Sequence, residues 1–139
     1  MQNIYRSQTQ KPGQDDDMLL FKKIRTWIST TARLLEHFPK KMRFTLKDEI
    51  WLQSLRVLTS ALGANQIKPL NQADAQQRLR QQNDLLAALT TADHLMQVAV
   101  EQGALAPSRL GEWSTQAAEI RVITLGWIKS DRRRSLNTN

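Results

Sequence analysis

Between residues 18 and 130, apolar side chains recur at intervals of three and four, in four stretches separated by short polar breaks. That spacing puts each set on one face of an α-helix. In the first stretch, residues 18 to 38, the inward positions are Leu20, Ile24, Trp27, Thr31, Leu34 and Phe38, widened by Phe21, Ile28 and Leu35. Pro39 closes it. The second stretch, 46 to 62, has Leu46, Ile50, Trp51, Leu55, Leu58 and Leu62 as its apolar face. Thr45 with Asp48 approximates a capping box at its start, and Gly63 is its stop signal.

The third stretch follows Pro69, takes Asn71 as its cap, and reaches about Gly103. Leu79, Leu86, Leu89, Met96 and Val100 keep the inward spacing, with Ala75, Leu85, Ala92 and Ala99 beside them. Its opening, QADAQQRLRQQ, is weakly apolar and is expected to fray or to project beyond the bundle. The fourth stretch starts at Pro107 and Ser108, runs through Leu110, Trp113, Ala117, Ile120, Thr124 and Trp127, and fades after Lys129. No alternating strand pattern occurs. Short connections make consecutive helices antiparallel. The expectation is an all-α fold: an up-down-up-down four-helix bundle over 18–130, a disordered arm over 1–17 and a basic tail over 131–139.

Composition agrees. The chain has 139 residues, one domain's worth, and 40% of them are hydrophobic, enough for a single core. With no cysteine, disulfides, thiolate metal sites and a cysteine nucleophile are excluded. His37 and His94 lack a second histidine at metal-ligand spacing. Apolar runs are too short to span a bilayer, and the first 17 residues lack the apolar stretch of a signal peptide. A cytoplasmic protein without a membrane contact is expected. No nucleophile–base pair, carboxylate dyad, glycine-rich phosphate loop or cofactor motif is present, so the chain reads as non-enzymatic and free of cofactors.

Charge changes the picture. The net charge is +7, which makes a polyanion the first partner to consider. Residues 18–47 carry eight basic side chains (Lys22, Lys23, Arg25, Arg33, Lys40, Lys41, Arg43, Lys47) against Glu36 alone. Bundle topology sends Lys40, Lys41 and Arg43 to one end. It sends Lys22, Lys23, Arg25, Lys68, Arg132, Arg133 and Arg134 to the other. Lys40, Lys41, Arg43, Arg132, Arg133 and Arg134 are the candidates for contact with RNA or DNA, with Arg78 and Arg80 as weaker ones. Each has a plainer reading beside it. PKKMR suits any exposed interhelix turn, and arginines after a helix C-terminus are favoured by its dipole. Trp27, Trp113 and Trp127 fall on inward positions and read as core, with Trp51 beside one.

FPKKMRFTL, residues 38 to 46, resembles the helix 1–helix 2 signature of the Avd-like family, the accessory variability determinants of diversity-generating retroelements. That signature is Pro-Lys, two variable residues, then Arg-Phe-Thr-Leu, matched by Pro39, Lys40, Arg43, Phe44, Thr45 and Leu46. EIRVITLGWIK is similar to a second family segment at Glu119, Ile120, Gly126, Trp127 and Ile128. It departs at Arg121 and Val122, where the family has Gly-Arg, and at Leu125, where it has Gly. The resemblance implies a homopentameric barrel of bundles. It also implies partners: a retroelement reverse transcriptase and its template RNA, whose error-prone copying into cDNA the protein supports. The same fold family includes proteins encoded in ribosomal RNA intervening sequences, so a protein-docking adaptor with no nucleic-acid role is the alternative.

Overall fold

The computed structural model describes residues 14 to 137, with side chains from 18 to 135. Four helices make it up: α1 (Gln14–Leu35), α2 (Asp48–Gln66), α3 (Gln72–Glu101) and α4 (Gly111–Asn137). No strand occurs among the described residues. Short turns join them: a 3-10 turn (Lys40–Met42) with a π-helical turn (Arg43–Lys47) before α2, and a 3-10 turn (Pro107–Leu110) before α4. Most of the expected N-terminal arm lies outside the described residues, but residues 14 to 17 open α1.

Each helix packs against its sequence neighbours, and α4 closes back on α1. Side-chain contacts set the directions. Lys23 pairs with Glu119 and Arg33 with Glu112, so α1 and α4 run opposite ways. Gln82 reaches Asp131 and Arg121 reaches Thr90, so α3 and α4 do too. Arg78 meets Ile67 while Gln81 meets Gly63, which sets α2 against α3. The four helices therefore form an antiparallel bundle.

The core is built as expected on α1 and α4. Leu20, Ile24, Trp27, Thr31, Trp113, Ile120 and Thr124 are fully buried. The Trp27 and Trp113 rings lie 5.5 Å apart, tilted by 36°. Burying each large side chain of this kind contributes roughly 2–3 kcal/mol. Trp113 Nε1–H donates to Thr31 Oγ1 at 2.8 Å, and Thr31 Oγ1–H donates to the Trp27 carbonyl at 2.8 Å. The indole N–H on one helix is thus satisfied by a hydroxyl on the other.

On α2 the buried face is rotated from the expected one. Ile50, Gln53, Ser54, Val57, Ser60, Ala61 and Ala64 point inward, whereas Trp51 and Leu58 are half-buried and Leu62 is exposed. The reason is steric. α2 and α3 form the most extensive helix pair in the fold, and close helix approach favours small side chains between them. Ala88, Ala92 and Ala99 supply the same on α3. Gly63 does not stop α2, which continues to Gln66. A Cβ there would lie 3.2 Å from the end of the Gln81 side chain, which would have to shift slightly to admit it.

The caps divide likewise. Asn71 caps α3, its Oδ1 accepting from the Asp74 N–H at 2.9 Å. Gly103, with φ +77°, ends α3 in a Schellman turn: Ala104 N–H donates to the Ala99 carbonyl and Gly103 N–H to that of Val100. The Thr45–Asp48 capping box does not form. Thr45 Oγ1 bonds the Met42 carbonyl instead, and α2 starts two residues beyond Leu46. No described helix is long and apolar enough to cross a membrane.

Candidate nucleic-acid interface

The eight candidate cations separate into two groups at opposite ends of the bundle. α2, with its 19 residues, spans the distance between the ends, roughly 28 Å at 1.5 Å per residue.

The first end is the α1–α2 connection. Phe38 and Met42 are buried and peg it to the core. Between them Pro39 is extended (φ −60°, ψ 148°), and Met42 N–H donates to the Pro39 carbonyl at 3.0 Å. Lys40 and Lys41 sit on the outside of this short loop. The π turn follows, with Arg43 and Phe44 at its start. Lys40, Lys41 and Arg43 are exposed and form no ion pair among the described residues. Their acidic neighbours in sequence are Glu36, Asp48 and Glu49; Glu49 accepts from Gln53 Nε2 at 2.9 Å. Phe44 is 83% exposed, and the Arg43 guanidinium carbon lies 5.9 Å from its ring centroid. Arg109, from the α3–α4 connection, joins this end, its Nη1 3.4 Å from His37 Nε2.

The second end holds the remaining candidates in three different states. Arg78 is not available to a ligand. It is only 8% exposed, with Nε 2.7 Å from Asp131 Oδ2, Nη2 3.0 Å from Asp131 Oδ1, and Nη1 donating to the Ile67 carbonyl. Its guanidinium lies 5.0 Å from the Trp127 ring centroid. The candidate role assigned to Arg78 is corrected to a structural one, because all three nitrogens serve the fold. Arg134 is exposed but pairs with Asp131 at 2.5 Å. Arg80, Arg132 and Arg133 are exposed and form no ion pair among the described residues. Lys23, assigned to this end, pairs with Glu119.

Two further expectations are corrected here. Residues 131 to 137 belong to α4 and are not a free tail, since Asp131 is held by Arg78, Gln82 and Arg134. The opening of α3 is not frayed. Arg78 and Gln82 in it are buried and bound to α4.

Phe44, read from the sequence only as part of the FPKKMRFTL match, stands exposed at this end between Met42 and Leu46, which pack inward. No family model and no curated protein matches this chain.

Proposed function

We propose that this protein is a non-catalytic nucleic-acid-binding accessory of a diversity-generating retroelement. In this reading it binds the reverse transcriptase and its template RNA, and DNA as the copy forms, and supports mutagenic cDNA synthesis in the cytoplasm. One observation supports it most: three cations within four residues, Lys40, Lys41 and Arg43, are displayed on a rigid turn with no acidic partner among the described residues. Lysines and arginines so placed neutralise phosphates and release their counterions. Arg80, Arg132 and Arg133 supply a second, separate set. The retroelement context, the reverse transcriptase and a homopentamer come from the resemblance of FPKKMRFTL and EIRVITLGWIK. A ring of copies repeats each modest contact and raises avidity.

The test is RNA binding measured against salt concentration. Affinity is expected to fall steeply with salt, and the slope to shrink by about 0.7 for each phosphate-contacting cation removed from a single strand. A flat response in the wild type overturns the reading. Co-purification with a retroelement reverse transcriptase and a mass measurement of the assembly test the rest.

A second reading, a protein-docking adaptor, is favoured by Val122 and Leu125, which stand 69% and 50% exposed on α4. It predicts capture of a protein partner that survives high salt and is lost in Val122→Asp, with nucleic acid ignored.

A further inference from the structure

We infer that Phe44 is a stacking platform for an unpaired base, so that the 38–47 end of the bundle takes single-stranded nucleic acid in preference to duplex. The inference rests on the nucleic-acid reading above and specifies the form of nucleic acid bound.

Among the described residues Phe44 is the only phenylalanine, tyrosine or tryptophan that stands exposed. Phe44 is 83% exposed although the core is one turn away, because Met42 before it and Leu46 after it take the inward positions. The turn is firmly built. Arg43 N–H donates to the Lys40 carbonyl, Thr45 Oγ1–H to that of Met42, and Asp48 N–H to that of Thr45. Its π-helical form, frequent at functional sites, fits the same use. The ring is therefore held out by bonded backbone.

Its surroundings identify the ligand. A protein-docking patch is contiguous and apolar. Phe44 instead stands among Lys40, Lys41 and Arg43, and the next exposed large apolar residue along the chain is Leu52, about one turn into α2. A single strand offers what this turn can take together: a π-face for the ring and flanking phosphates for the cations. Arg43, 5.9 Å from the ring centroid, is close enough to steady the ring by a cation–π contact. In a duplex the bases are stacked on each other, and none reaches the ring without being flipped out.

The experiment compares three probes of about 16 residues, the upper end of common single-strand site sizes: oligothymidylate, an abasic oligomer of equal charge, and a DNA duplex. Binding of each is measured for the wild type, Phe44→Ala, Phe44→Tyr and Lys40→Gln/Lys41→Gln. Phe44→Ala is expected to weaken oligothymidylate binding about 5- to 100-fold, the range that stacking one base supports. It leaves the abasic and duplex probes unchanged, and Phe44→Tyr restores the loss. The lysine pair weakens all three probes alike. Phe44 is at the surface, so the variants keep the wild-type melting temperature. If Phe44→Ala changes nothing, or weakens all three probes equally, the stacking assignment is overturned while the nucleic-acid reading stands. If it instead abolishes capture of a protein partner, Phe44 is a protein anchor and the assignment again fails. If the wild type binds no probe in a salt-dependent way, the nucleic-acid reading itself has failed.

Discussion

Arg78 and Asp131 lie 53 residues apart in the chain, yet the guanidinium holds the carboxylate through two nitrogens, at 2.7 and 3.0 Å. The Arg78 side chain is 10% exposed and that of Asp131 16%, and Gln82 and Arg134 complete the carboxylate's partners. The pair fastens the end of α4 to the start of α3. Arg78→Met is expected to cost about 2 kcal/mol, less than a fully stranded buried charge because Gln82 and Arg134 remain. Replacing both residues, Arg78→Met with Asp131→Leu, should recover much of that loss. Chemical denaturation of the double-mutant cycle measures the coupling. Arg134→Gln, at an exposed pair, should shift stability by under about 1 kcal/mol.

The two central indoles should respond differently to the same change. Trp113 N–H donates to Thr31, whereas Trp27 Nε1 is buried without a hydrogen-bond partner. Trp113→Phe removes volume and a hydrogen bond; Trp27→Phe removes volume and relieves an unpaired donor. The first is expected to cost about 1–2 kcal/mol more than the second. Thr31→Val, which strands the Trp113 N–H, should cost on the order of 1–3 kcal/mol. Denaturant midpoints at constant slope read all three.

Gly103 closes α3 at φ +77°, a conformation in which any Cβ crowds the following carbonyl. Gly103→Ala is expected to destabilise by about 1 kcal/mol, and Gly103→Asn by less. Thermal melts of the two variants compare them directly, since nothing lies within 4 Å of a Cβ at this position.

The two basic ends should act independently. Lys40 and Lys41 sit at the α1–α2 connection, and Arg132 and Arg133 on the last turns of α4. At such separation, effects of substitution add. For a long single strand, neutralising each pair should lower affinity, and the combined variant should show the sum of the two losses in log K. A shortfall of more than about 0.5 kcal/mol means that the ends share a contact.

Local pattern carried most of α1 and α4. Trp27, Trp113 and Ile120 follow helical spacing because large side chains fill that half of the core. Asn71 was legible as a cap because its role depends on a backbone group only a few residues away. Reading the inward face of α2 from its largest residues put Leu55 and Leu62 where Ser54, Val57 and Ala61 stand, since size alone does not reveal that a neighbouring helix presses close. Gly63 misled as a stop signal, since α2 continues to Gln66. The true end of α4 and the loss of Arg78 as a ligand contact both follow from one partnership across 53 residues, which no local window contains. At the candidate site, the cations of the PKKMR turn were legible from composition. The exposure of Phe44 was not, because Phe44 entered only as part of the FPKKMRFTL match.

Serines and alanines line the seam between α2 and α3, the most extensive in the fold, while a pair of indoles fills the space between α1 and α4. The small-residue seam is expected to be the side that opens last. Backbone amides along Val57 to Ala64 and Ala88 to Ala99 should accordingly be the last to exchange with deuterated solvent.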